Sequence, residues 1–293
     1  MRERKILFLS SFAIRIIALL TMTLDHIGIF LLLKYAQGTT AYEVASVFRV
    51  IGRIAFPLFA FLLAEGMNHT SNREKYLLRL SGIMALILIG QTIAVYGMGI
   101  NNLNAAGNPF IDLVFVALVL YFLTKEKWKK LLSLLPAAVL VFSFVVGCIE
   151  TSSDITILWW PFMYRPTESL LGLFLALGYF YAPKIAVKAS HKFNQEAGIS
   201  DELYLETSFG RRSANIIGCL FFLASVLALW GFSYINYRAY DPINMSIKSW
   251  GLLAIIPLFF YNGEKGIGNL GTKIFFYAYY PVHIIILYLI FGL

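Results

Sequence analysis

Nine apolar runs, most of them as long as a membrane is thick, decide what this chain can fold into. They cover roughly 10–34, 47–66, 76–97, 110–124, 130–149, 158–182, 214–235, 247–261 and 273–292. A helix that crosses the hydrocarbon core needs about 20 apolar residues, and most of these runs approach or exceed that length. Their apolar character is continuous rather than alternating, which excludes a transmembrane β-barrel. Charged residues are 14% of the chain, against about a quarter in soluble domains. The fold class that follows is all-α: a polytopic helical membrane protein of about nine transmembrane helices. The runs 110–124 and 247–261 are the shortest, and they cross only if protein shields them or their flanks extend them.

Charge between the runs orients the chain. Seventeen of the 24 basic residues fall on one side: Arg2, Arg4, Lys5, Arg73, Lys75, Arg79, Lys125, Lys127, Lys129, Lys130, Lys184, Lys188, Lys192, Arg211, Arg212, Lys265 and Lys273. Six fall on the other (Lys34, Arg49, Arg53, Arg165, Arg238 and Lys248), and Arg15 lies inside a span. The positive-inside rule then places the N-terminus in the cytoplasm and the C-terminus outside, as an odd span count requires. The net charge of +8 is therefore a topology signal and gives no reason to expect nucleic acid as a partner. The basic start lacks a small-residue cleavage site, so the first helix is expected to be retained. Residues 1–293 read as a single integral membrane domain. Its longest cytoplasmic loop, 183–213, is too small for a separate catalytic domain, so any chemistry must be built by the helices.

Ionisable groups at membrane depth are costly and are kept mostly where they bind, conduct or react. The first run, AIRIIALLTMTLDHIGIFLLL, holds Arg15, Asp25 and His26, the last being one of only four histidines. Eleven residues at 100° each bring Arg15 and His26 within about 20° of the same helical stripe, roughly 16 Å apart along the axis. A helix so built would line a passage with Arg15 near the inner mouth and His26 in the outer half. Asp25 points about 100° away from His26 and needs a partner elsewhere. The second run enters from outside with FRVIGRIAFPLF, placing Arg49 and Arg53 at the depth of Asp25 and on one face. An Asp25–Arg49 or Asp25–Arg53 pair would offset the burial of the carboxylate.

His283 follows Tyr280-Pro281 in the last run, where proline frees a carbonyl and can bend a helix, turning Tyr277, Tyr280 or His283 toward a cavity. Pro57 and Pro257 are also expected to kink their helices. Asp112 at the start of the fourth run reads equally as a cap or a functional group. The segment GEKGIGNLG at 263–271 lacks the context of a phosphate loop, but offers amides and Lys265 to an anion. Histidines 26, 69, 191 and 283 are too scattered for a metal site, and the apolar setting of Cys148 and Cys219 implies no disulfide framework.

The blocks RIIALLTMTLDHIG (15–28), FRVIGRIAFPLFAFLLAEGMNHTSNREKYLLRL (48–80), YNGEKG (261–266) and FFYAYYPVHIIILYL (275–289) resemble the TraX family, whose namesake acetylates the N-terminus of pilin. That family in turn resembles the multi-pass membrane acyltransferases, which carry an arginine and a histidine on the first helix with ten residues between them. Arg15 and His26 match that spacing. The resemblance implies a prokaryotic inner-membrane enzyme, an acetyl-CoA-dependent acyltransferase acting on a peptide, pilin or surface-glycan acceptor. Under it His26 is the base and Arg15 a contact of the acyl-CoA donor. The residues read from depth and spacing complete the assignment: Asp25, Arg49 and Arg53 join the catalytic group, and Lys265, Tyr277 and His283 face the donor. Membrane lipids and a possible homodimer complete the expected partners. A proton-coupled transporter or flippase using the same polar site is the alternative, though no internal repeat supports it.

Overall fold

The computed structural model describes residues 7–100, 107–196, 198–236 and 244–291. The sequence expectations at Arg2, Arg4, Lys5, Arg238 and the side chain of Lys273 lie outside the described residues. Every apolar run contains helix, although the start of 158–182 is turn and a short 3-10 segment, with α-helix beginning at Ser169. The chain forms α1 (Ser11–Lys34), α2 (Thr40–Gly52), α3 (Ala55–His69), α4 (Arg73–Thr92), α5 (Pro109–Leu123), α6 (Leu134–Ser153), α7 (Ser169–Glu196), α8 (Asp201–Tyr204), α9 (Ser208–Asn236), α10 (Met245–Lys248), α11 (Ile255–Phe259) and α12 (Leu270–Phe291). Seven helical stretches among the described residues are long and apolar enough to cross a membrane. The other two apolar stretches, Pro109–Leu123 and Met245–Phe259, are shorter and correspond to the two shortest runs.

Four of the starts are set by polar caps at the edge of an apolar run. The side chains of Ser10, Thr39, Asn72 and Asn108 accept hydrogen bonds from backbone amides in the first turns of α1, α2, α4 and α5, satisfying donors that the helix itself leaves open. Two prolines mark irregular backbone. Pro57 has no N–H for the carbonyl of Arg53, and the second run turns at Arg53-Ile54, so α2 ends at Gly52 and α3 begins at Ala55. The freed Arg53 carbonyl lies beside Gly251, where a Cβ would approach it to 3.2 Å. Pro257 sits in the eighth run, which is part 3-10 helix (Ser249–Ala254) and part α-helix. Pro281, by contrast, lies inside α12 without ending it.

Helix α3 occupies the middle of the bundle, packed by α1, α5 and α7, while α7 runs along α9 and α1 along α2. Ile14, Leu58, Ala64, Met67, Leu120, Leu175 and Phe222 are fully or almost fully buried in the shared core. Helices α4 and α12 are peripheral; Leu78, Leu86, Leu289 and Ile290 are more than 60% exposed, surface that lipid solvates and water would not. The segment 183–213 is mostly helical rather than irregular. Helix α7 continues through Pro183 to Glu196, α8 follows, and α9 starts at Ser208. His191 bonds Asp201 at 2.9 Å and Tyr204 packs fully buried between the two long helices.

A second polar group ties the ends of α5, α6, α7 and α10. Asp112 accepts amide hydrogen bonds from Thr167, Glu168 and Ser169 at 2.7–3.0 Å, at the start of α7. It caps that helix from across the bundle. Glu150 pairs with the buried Arg165, and Lys248 reaches Glu168 at 3.3 Å.

Candidate active site

The polar residues of α1 point in two directions. Asp25, 9% exposed, faces α2, where its Oδ2 meets Arg49 at 2.7 Å and also bonds the guanidinium of Arg53. Both arginines named by the depth argument thus reach the carboxylate, and Asp25 makes no bond to the ring beside it. The helices approach closely because Gly52 faces Asp25: a Cβ there would lie 2.2 Å from the Asp25 Cβ. Gly28 serves the contact one turn on, where a Cβ would come within 2.9 Å of the Ala45 carbonyl. Small residues at such crossings let backbones meet where no hydrophobic force drives helices together.

Two guanidiniums share one carboxylate here, so the cluster carries one positive charge in excess. Glu168 is engaged by Lys248 instead, at 3.3 Å. Asp25 Oδ1 and Arg53 Nε are buried with no hydrogen-bond partner among the described residues. Arg49 also forms part of the wall of a cavity of about 290 Å³, with Leu32, Ser46, Val50, Ser246, Ile247 and Trp250. Its lining is apolar apart from the guanidinium and two serines.

The other stripe of α1 faces α12 along its whole length. The guanidinium of Arg15 lies over the Phe276 ring at 4.8 Å, Thr23 bonds the Tyr279 hydroxyl at 2.7 Å, and Phe30 stacks on Phe291. Between them the Nδ1 of His26 is 3.0 Å from the Nε2 of His283. Arg15 and His26 therefore share the stripe that their spacing predicted. What lies along it is a helix seam filled by Phe276, Tyr279, Tyr280 and His283 instead of an open passage. Tyr280 presents its ring edge-on to both histidines.

The remaining sequence candidates are scattered. Tyr277 is 44% exposed, and Lys265 is an exposed residue of the 262–269 loop. That loop turns carbonyls inward: Glu264 and Lys265 accept from the amides of Ser11 and Phe12 at 2.8 and 3.2 Å, closing the first turn of α1. Its positive-φ glycines make this possible; at Gly266 a Cβ would meet Ser10 Oγ at 2.5 Å. The structure places His283 against His26, with their facing ring nitrogens 3.0 Å apart. Gly52, Thr23 and Tyr279 were missed by sequence reasoning. Their only trace is spacing: Thr23 and His26 lie three apart on one helix, Tyr279 and His283 four apart on another.

A helical bundle that pairs a half-buried histidine with a second histidine, beside a carboxylate–arginine cluster at membrane depth, defines a class: a multi-pass membrane protein with an intramembrane polar site built for chemistry. The family profile for "TraX protein" matches residues 10–165, the half of the chain that carries Arg15, Asp25, His26, Arg49 and Arg53. The chain belongs to the TraX family. It is thereby an acyltransferase of the prokaryotic inner membrane that acts on pilin or cell-surface acceptors, and the family implies acetyl-CoA as donor. The chain is also similar to the "Probable fimbrial assembly protein FimC, serogroup H1" of Dichelobacter nodosus, 27% identical over 280 residues that cover 95% of this chain and 94% of that protein. No solved structure matches the chain.

Proposed function

We propose that the enzyme moves an acetyl group from cytoplasmic acetyl-CoA to an amine or hydroxyl of a fimbrial or pilin subunit, with His26 as general base. The observation that carries this reading is the position of the His26 ring, locked by α12 on one side and next in sequence to the Asp25–Arg49–Arg53 cluster on the other. The proposed topology is nine crossings with the N-terminus in the cytoplasm, all within one membrane domain, which sets Arg15 near the inner face and His26 in the outer half. The relative's name, a fimbrial assembly protein, supports a fimbrial acceptor.

In this reading the neutral ring of His26 takes the proton from the acceptor N–H or O–H as that atom attacks the thioester carbonyl carbon. The new C–N or C–O bond forms, the C–S bond breaks, and the proton passes on to the departing coenzyme A sulfur. The surplus positive charge of Arg49 and Arg53 opposes the oxyanion that develops on the carbonyl oxygen. Asp25 holds both guanidiniums in place without cancelling them. Arg15, with Lys265 and Tyr277 at the same end, contacts the phosphates of the donor. The cavity beside Arg49 gives the acceptor an apolar approach to the cluster.

The test is incubation of the purified protein with radiolabelled acetyl-CoA and a fimbrial-subunit peptide bearing a free N-terminus. Acceptor-dependent incorporation is expected. Retention of substrate in proteoliposomes and its release on a proton gradient, with no incorporation, would instead favour a transporter.

A further inference from the structure

Two hydrogen bonds in the α1–α12 seam bear on where the protons of the histidine pair sit, and the Met22 carbonyl, one turn before His26, also meets its ring. His283 Nδ1 is 2.8 Å from the Tyr279 carbonyl. A carbonyl only accepts, so Nδ1 of His283 carries the hydrogen. In the neutral ring its Nε2 then bears a lone pair, and that atom lies 3.0 Å from Nδ1 of His26. Nδ1 of His26 must therefore be the donor, which leaves the lone pair of the His26 ring on Nε2.

The second ring is itself fixed. The Thr23 hydroxyl donates to the Leu19 carbonyl at 2.9 Å, so the Tyr279 hydroxyl donates to Thr23 at 2.7 Å. The Tyr279 ring stacks on His283 with a centroid separation of 5.2 Å. His283 is buried in the seam, 6% exposed.

We propose that His283 is a positioning residue for acyl transfer: it holds His26 in the Nδ1–H tautomer and aims a free Nε2 at the acceptor. This rests on the reading of His26 as base, and it reassigns His283 from the donor contact expected of it. An unconstrained neutral histidine favours the Nε2–H form, in which that nitrogen cannot take a proton.

The chain has only four histidines, so ¹⁵N NMR of the imidazole nitrogens in histidine-labelled protein resolves the pair, with His26→Gln assigning its signals. Both His26 and His283 are expected as Nδ1–H tautomers in the intact protein. His283→Phe should convert His26 mostly to Nε2–H and lower kcat by about 100-fold or more, the low end of what a general base contributes, with KM for acetyl-CoA unchanged. His283→Gln, whose amide oxygen can accept the same hydrogen bond, should restore most of both. An Nε2–H signal for His26 in the intact protein overturns the proposal, and so does an unchanged tautomer or kcat in a folded His283→Phe variant. The Nε2–H outcome in the intact protein overturns the proposal even if His283→Phe does not fold, and His283→Gln then supplies the comparison. The intact-protein spectrum also separates the two readings: Nδ1–H tautomers without any transfer activity would remove the enzymatic role and leave the histidine–histidine hydrogen bond, while His26-dependent transfer from an Nε2–H ring would do the reverse.

Discussion

At the residue scale the structure turns on what surrounds one carboxylate. Asp25 answers two arginines, and removing it would leave two largely buried guanidiniums facing each other without compensation. Breaking a buried ion pair from one side typically costs about 3–5 kcal/mol. Asp25→Ala should accordingly lower unfolding stability by about that amount, read as a shift in detergent or thermal denaturation. A loss below about 1 kcal/mol would mean that the cluster is not structurally coupled. The pairing of Asp25 with α2 was legible in the sequence because depth and helical phase are both readable from spacing within single apolar runs. The contact of His26 with His283 was not, because 257 residues separate them and no local periodicity links one peripheral helix to the first. Nor did sequence reveal the exclusion of Lys265 and Tyr277 from that cluster, since loop carbonyl direction depends on which helix end the loop meets.

At the element scale, the closeness of α1 and α2 depends on glycine. A Cβ at Gly52 would overlap Asp25 at both backbone and side chain, whereas at Gly82 and Gly90 on α4 nothing lies within 4 Å. Gly52→Ala should therefore destabilise by about 1–3 kcal/mol through overpacking and reduce transfer by spreading the helices. Gly82→Ala and Gly90→Ala should be neutral or stabilise by up to about 1 kcal/mol. Equal effects in parallel melts would contradict the close approach. Helix existence was readable within the apolar runs, because apolar length is a property of one segment, although 158–168 is turn and 3-10 backbone ahead of α7. The turn at Arg53-Ile54 follows from Pro57, and its exact place depends on the packing of Gly251 against it. The helical character of 183–213 was hidden by a mixed polar composition, since α7 and α9 stabilise each other there by lateral packing.

At the scale of the whole molecule the proposal divides the bundle into an inner end that meets the acyl donor and an outer end that meets the acceptor. Cysteine labelling tests the division directly, since the native Cys148 and Cys219 are buried and give little background. Asp154→Cys should react with a membrane-impermeant maleimide in intact cells, and Lys129→Cys only after permeabilisation; the opposite pattern would invert the orientation. The central claim is that the intramembrane histidine performs acyl transfer. Its most direct test is incorporation of label from acetyl-CoA into a fimbrial-subunit acceptor by intact protein and by a His26→Ala variant shown to insert and fold. The account predicts acceptor-dependent incorporation by the first and a loss of at least about 100-fold in the second; intact-protein turnover by folded His26→Ala would contradict it.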